Sequence, residues 1–449
     1  MTSRPEDGPS GRPRSRLAVI AGSAVAVALA AGCIAGAGED AAGTGAAAVQ
    51  ATAPPSARAA AGIATALAPA PLTPAELALQ LQALLGQHSM LAADMMRGRL
   101  RNDPDLAQAA DAALGKNTEA MGNLVGSAFG SQAEQAFTPL WSGHVTALFN
   151  YSRGVAERNE GVTAQAMVSI SRFENQLADF FAAASQGRLS KAAAVSAVTA
   201  HVSHLLEQCD AYAAEEYARS DAAYRRGYAH SFELGRTLAS ALLPAADAKV
   251  LATPAWRLRS ALNKLLGEHV QLVVAAMRAG ATDAPDFGAA AAAVNGNTTD
   301  LAGAIGVLFG RQAATSFQQL WADHIDLLVA YAAAIAKGDG AARTRIGTGL
   351  RAFETTLAGF LHGATSDKVS AAALAKALQS HDTMLRQQTD AFVAKEYTAA
   401  HDAAYATYQE MYALSDRLAQ AFGQAVAKRL PVGPADTGRG GMAAVVGGR

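Results

Sequence analysis

A helical stretch with a histidine in its middle occurs twice in this chain of 449 residues, and this repeat constrains the fold more than any other feature. The stretch 137–151 recurs as 317–331, and its matching residues are all offset by 180. Successive members of the set step by three or four positions, which places them on one face of an α-helix. The first copy of the set is Phe137, Leu140, Trp141, His144, Leu148 and Tyr151.

Two further helices of the repeat show the same pattern. Apolar residues step by four and three positions around His88 and again around His201, and the second copy repeats these steps around His269 and His381. This spacing is typical of a helix that packs along one face in an antiparallel bundle. No stretch alternates polar and apolar residues for long, so strands are not expected. The sequence therefore predicts an all-α fold with two tandem homologous helical-bundle domains of about six helices each.

The start of each domain carries a helix-initiation signal. Thr73 and Glu76 form a capping box, and Pro74 between them stands at the first helical position. The second copy begins similarly, with Thr253-Pro254. The predicted boundaries are a signal peptide at 1–32, a disordered tether at 33–71, repeat 1 at 72–248, repeat 2 at 249–430 and a disordered tail at 431–449. Within the second helix, the Gly115–Thr118 segment predicts a break or kink.

The overall charge does not favour a nucleic-acid partner. Charged residues make up 17% of the chain and the formal net charge is -1, whereas nucleic-acid-binding domains usually carry a basic patch. Alanine is abundant, which favours helices that approach closely. Leucine and aromatic residues must then supply most of the core stabilisation.

The N-terminal segment has the features of a secretory signal. Four arginines precede an apolar run from Leu17 to Gly32, which is short for a membrane span. Its last residues, Leu29-Ala30-Ala31-Gly32 directly before Cys33, resemble the lipobox of bacterial lipoproteins, although Ala30 stands where that family usually has leucine. The resemblance implies cleavage before Cys33, a lipid on its sulfur and an extracytoplasmic protein anchored to a membrane of the cell envelope. The alternative is an ordinary signal peptide in which this cysteine is incidental.

Three histidines on the buried faces of three helices are the candidate site in each copy. Histidines that face each other in a bundle core can bind a metal, and three imidazoles with a glutamate or a water as the fourth ligand suit zinc or copper. The alternative is that each histidine pairs with Gln208, Tyr151, Asn117 or a backbone carbonyl, since a buried imidazole needs a partner. The candidate ligands are His88, His144, His201 and Glu174 in repeat 1, and His269, His324, His381 and Glu354 in repeat 2.

Some polar residues break the repeat. His204 corresponds to Met384 and His230 corresponds to Glu410, so a site that used these histidines would be specific to repeat 1. We expect both to be surface or partly buried residues. Cys209 is expected to be a small core residue without a disulfide partner.

No catalytic motif is evident in the sequence. There is no glycine-rich phosphate loop and no Gly-x-Ser-x-Gly motif, and no pair of Glu-x-x-His motifs indicates a di-iron site. The main hypothesis is a non-enzymatic lipoprotein with a binding or scaffolding role and no evident cofactor. The alternatives are a metal-handling envelope protein that uses the histidines, and an enzyme that acts at the envelope.

Overall fold

The computed structural model describes residues 72–426 of the chain. The predicted signal peptide, Cys33, the tether and the tail lie outside the described residues. Within the described range every regular element is a helix, which confirms the all-α prediction. None of these helices is both long enough and apolar enough to span a bilayer.

Six long helices form repeat 1. Each helix packs against the next along the chain, as expected for an up-and-down arrangement with short connections. Their bounds are α1 Pro74–Leu100, α2 Pro104–Phe129, α3 Ser131–Ala156, α4 Glu160–Ala184, α5 Lys191–Ala213 and α6 Tyr217–Leu242.

Repeat 2 has the same succession of helices after a short connection. The connection is the single turn α7 Ala245–Ala248, followed by a 3₁₀ turn at Lys249–Ala252. The bounds are α8 Pro254–Ala281, α9 Phe287–Phe309, α10 Arg311–Ala336, α11 Gly340–Ala364, α12 Ala371–Val393 and α13 Tyr397–Val426.

The predicted helix starts are confirmed. Thr73 caps α1, with its hydroxyl accepting from the Glu76 amide and the Glu76 carboxylate accepting from the Thr73 amide. The hydroxyl of Thr253 caps α8 by accepting from the amide of Trp256. These contacts satisfy amides at the first turn that have no partner within the helix.

The central helices of the two repeats are α1 and α8. Helix α1 packs against α2, α3, α5 and α6, and α8 packs against α9, α10, α12 and α13. Both have buried residues around most of their circumference, unlike the outer helices. Each central helix therefore presents its histidine to several neighbouring helices at once.

The predicted break in the second helix is wrong. Helix α2 runs without interruption from Pro104 to Phe129. Asn117 lies inside it and is 2% exposed, and its amide nitrogen donates to the carbonyl of Leu84 and to Oε1 of Gln87 on α1. These bonds and the packing on α1 offset the weak helix propensity of Gly115, which costs only about 1 kcal/mol relative to alanine.

The two repeats contact each other reciprocally within one compact unit. Helix α6 packs on α9, and its counterpart α13 packs on α2, as in the interface of a two-fold symmetric dimer. The equivalent residues Tyr228 and Tyr408 meet at this interface, with their hydroxyl oxygens 3.1 Å apart. Gly86 leaves room for them, because a Cβ there would lie 2.8 Å from the Tyr408 hydroxyl.

Candidate metal centres

The three predicted histidines of repeat 1 meet in its core. His88 comes from α1, His144 from α3 and His201 from α5. One ring nitrogen of each lies within 4.8 Å of one from each of the others. The ring centroids are 5.4 Å apart for His88 and His144, and 5.5 Å apart for His88 and His201. We call this set the first triad.

Repeat 2 contains the same arrangement. His269 on α8, His324 on α10 and His381 on α12 also bring one ring nitrogen each within 4.8 Å of one another. The centroid of His269 is 5.9 Å from that of His324 and 5.7 Å from that of His381. We call this set the second triad. In both repeats the packing of the helices thus brings the three histidines together at one height in the bundle.

Aromatic rings enclose both triads. Trp141 contacts His88 edge to face, with 4.8 Å between centroids, and Trp321 contacts His269 at the same distance. Phe173 of α4 stacks on His144 at 4.2 Å. Phe353 of α11, its counterpart in repeat 2, stacks on His324 at 4.3 Å. These contacts fix the ring planes of the histidines and keep water away from them.

The imidazoles lack hydrogen-bonding partners. Among the described residues, all six ring nitrogens of the first triad are buried and unpaired, and so are five of the six in the second. The proposed partners are engaged elsewhere: Asn117 donates to Leu84 and Gln87, Gln208 accepts from Arg97, and Tyr151 donates to Asp210. The pairing predicted under the structural interpretation is therefore not present.

Unpaired nitrogens at this depth are energetically unfavourable. Each buried polar group without a partner costs about 1–3 kcal/mol, and native cores hold few of them. A concentration of them at two equivalent places calls for a partner that is not a protein group. A metal ion would accept one lone pair from each imidazole.

Burial keeps the histidines in their neutral form. Desolvation lowers the pKa of His88 and of His381 to about 3. The pKa of His144, His201 and His269 falls well below 6.5, first through burial and then through repulsion from other members of the same triad when these are protonated. The pKa of His201 is lowered further by His230 and His204. Burial, with a smaller effect of His381, also lowers the pKa of His324. A neutral imidazole is the form that binds metals, so protons do not compete for these nitrogens near pH 7.

The two predicted glutamates lie outside the clusters. Neither Glu174 nor Glu354 belongs to the groups of mutually close ligand atoms among the described residues. Glu174 interacts with Thr199, and Glu354 lies against the carboxyl group of Asp382. Burial raises the pKa of both glutamates. Three imidazoles alone would hold an ion in repeat 1, and they leave further coordination positions open.

Asp382 of α12 is a residue near the second triad that the sequence interpretation missed. It follows His381 directly and is fully buried, and its carboxylate oxygen Oδ1 lies 3.7 Å from Nε2 of His324. Its pKa is raised well above the usual range, mainly by burial and then by the neighbouring carboxylate of Glu354. Repeat 1 has Val202 at this position. Asp382 could therefore have been recognised in the sequence, because it is an acid at a buried position where the other copy has an apolar residue.

Two histidines of repeat 1 that have no histidine counterpart in repeat 2 lie near the first triad but are not part of it. His204 and His230 are partly buried, as expected, and their ring centroids are 5.7 Å apart. His230 Nε2 lies 2.9 Å from the carbonyl oxygen of Ala197. Cys209 is a fully buried free thiol, which confirms its expected place in the core.

An apolar cavity of about 30 Å³ adjoins the first triad. It reaches Trp141 and His201, and Leu81, Met121 and Leu238 are among its lining residues. A volume of this size exceeds the space that one water needs. The cavity therefore leaves room beside His201 for a further small ligand.

Comparison of the chain with known protein families, with curated proteins and with solved structures gives no match. The functional interpretation consequently depends on the geometry and chemistry of the two triads.

Proposed function

We propose that this chain is a metal-binding protein that holds one zinc or copper ion in each of its two histidine triads. The observation that carries the proposal is the convergence of three buried, neutral histidines from three helices, twice in one chain, with no hydrogen-bonding partner among the described residues for any ring nitrogen except Nε2 of His324. Imidazole is a preferred ligand of both metals. Nitrogens bound to zinc lie about 2.0–2.1 Å from the ion and hence roughly 3.3 Å from each other. The nitrogens of each triad, which now lie within 4.8 Å of one another, would therefore move closer together when an ion binds.

The proposed role is binding or handling of the metal rather than catalysis. Aromatic and aliphatic side chains enclose the rings, and the wall formed by Trp141 and Phe173 limits access to a bound ion. An environment of this kind suits retention of an ion more than turnover of a large substrate. We further propose, from the lipobox-like segment, that the protein is anchored at Cys33 on the outer side of a membrane.

Thermal melting tests the metal proposal. The parent should melt at a higher temperature with Zn²⁺ or Cu⁺ than with a chelator, because an ion that binds only the folded state stabilises it by RT ln(1 + [L]/Kd). At a hundredfold excess over Kd the gain is about 2.7 kcal/mol. His144→Leu and His324→Leu should each lose part of this gain and one equivalent of bound metal by elemental analysis.

The control for this melt is His230→Leu, which removes a histidine outside the triads. It should keep the full response to metal. If the parent binds neither ion and its melting ignores both metal and chelator, the metal proposal is wrong and the scaffolding hypothesis takes its place.

Membrane fractionation tests the proposed anchor. The parent should sediment with membranes, and Cys33→Ala should be released into the soluble fraction, because one lipid-modified cysteine supplies the apolar chains that hold the protein there. A variant that stays as membrane-bound as the parent would contradict lipidation at this residue.

A further inference from the structure

The two triads have the same three histidines but different electrostatic surroundings. Beside the second triad lies Asp382, with Oδ1 3.7 Å from His324 Nε2 and a side chain that is only 1% exposed. The corresponding residue of repeat 1 is Val202, which is equally buried but apolar. Position 410 is also acidic in repeat 2, where Glu410 stands in place of His230.

This difference alters how each site tolerates a cation. Neutral imidazoles contribute no charge, so a divalent ion in the first triad would leave two uncompensated charges among Trp141, Phe173 and Val202. The cost of placing an ion in an apolar interior rises steeply with its charge, and a nearby carboxylate offsets much of it. The second triad has such a group in Asp382, whose carboxyl group would lose its proton as the ion binds, whereas the corresponding residue of repeat 1 is Val202.

Two other acidic groups lie near Asp382, namely Glu354, which lies directly against it, and Glu410. Glu354 has an acidic counterpart in Glu174, so Asp382 and Glu410 are the acids that distinguish the second triad from the first. Arg386, on the same helix as Asp382, partly offsets the effect of these acids. In repeat 1 the charged neighbours that lower the pKa of His201, after burial, are His88, His230 and His204, and none of them is acidic.

The carboxylate also bears on the geometry of the second triad. Histidine ligands of metals commonly have a carboxylate near the ring, which orients it and raises its basicity. Asp382 occupies that position towards His324, and a shift of about 1 Å or less would bring Oδ1 within hydrogen-bond distance of Nε2.

We propose, on the basis of the metal-binding function proposed above, that Asp382 makes the second triad selective for a divalent ion such as Zn²⁺, whereas the first triad prefers monovalent Cu⁺. Met121 supports the preference in repeat 1, since it lines the same cavity as His201 and a soft thioether sulfur favours Cu⁺. The counterpart of Met121 in repeat 2 is Leu301.

Binding titrations with Zn²⁺ and with Cu⁺ under anaerobic conditions test this proposal in the full chain carrying Cys33→Ala, which removes the proposed membrane anchor. His144→Leu leaves only the second triad intact, and His324→Leu leaves only the first. The second triad should bind Zn²⁺ at least tenfold more tightly than the first does, and the order should reverse for Cu⁺. Equal preferences at the two triads would overturn the proposal.

The substitution Asp382→Asn in the His144→Leu background isolates the charge. It keeps the shape of the side chain and should weaken Zn²⁺ binding 10- to 100-fold, the usual effect of losing such a partner, while Cu⁺ binding changes less than about threefold. Val202→Thr in the His324→Leu background is the matched control and should change neither affinity. Circular dichroism verifies that each variant is folded.

The outcomes separate this inference from the proposed function. Loss of Zn²⁺ and Cu⁺ binding by the same factor in Asp382→Asn would assign Asp382 a structural role and overturn the selectivity. Unchanged Zn²⁺ binding would also overturn it, with metal binding itself intact. Failure of the parent to bind either ion would overturn the proposed function, and the selectivity with it.

Discussion

At the scale of single residues, the protein places neutral histidines where protonation is unfavourable. The pKa of His88 is about 3 in the folded protein because of burial, whereas an exposed histidine has a pKa near 6.5. Below pH 6.5 the unfolded chain therefore takes up a proton that the folded protein excludes. The stability that depends on neutral His88 is complete above about pH 6.5 and falls as the pH drops towards 3.

The loss of stability at low pH leads to a prediction for the metal-free protein. Relative to His88→Leu, the free energy of unfolding of the parent should fall by about 2 kcal/mol between pH 7 and pH 5. Urea denaturation in the presence of a chelator measures this difference. Burial raises the pKa of Asp94, but His401 and Arg278 lower it to about 2, which is below this pH range. The titration of Asp94 therefore does not contribute to the measured difference. A constant difference between the two proteins across the range would show that His88 is accessible to protons.

At the scale of elements, sequence periodicity located the helices well but misjudged their interruptions. The capping residues at Thr73 and Thr253 correspond to real helix boundaries. Gly115 did not break α2, because Asn117 bonds across to α1 and packing offsets the weak propensity. Tertiary contacts thus override local propensity in the middle of long helices, whereas end signals act locally and can be recognised in sequence.

At the scale of the whole molecule, an extensive interface joins the two repeats. Arg278 of repeat 2 is buried and donates to Asp94 of repeat 1, with a distance of 3.0 Å. Arg97, which is equivalent to Arg278, pairs instead with Asp221 in its own repeat, and position 401, the counterpart of 221, is a histidine that also faces Asp94. The acid that pairs with Arg97 lies in the same repeat, whereas the acid that pairs with Arg278 lies in the other repeat. This ion pair therefore links repeat 2 to repeat 1.

Independent folding of the two repeats remains a prediction, and the interface adds an expectation about how stable each separate repeat should be. Residues 72–248 and 249–430, made separately, should each give a helical circular dichroism spectrum and melt cooperatively, since each has its own core. Both should melt at a lower temperature than the full chain, because separation removes ion pairs from each repeat. Repeat 2 loses the contact of Arg278 with Asp94, and repeat 1 loses the contact of Arg225 with Glu268. A half that shows no cooperative transition would mean that the two copies share one core.

The sequence by itself determined the helical class, the repeat, the helix starts and the six histidines of the candidate sites. These follow from local periodicity and from capping chemistry, which depend only on residues a few positions apart. Only the tertiary structure decided that three histidines of each copy meet at one height, that they lack hydrogen-bonding partners, and that Asp382 stands beside the second triad alone. These properties depend on the axial alignment of helices that lie more than fifty residues apart in sequence, and packing sets that alignment.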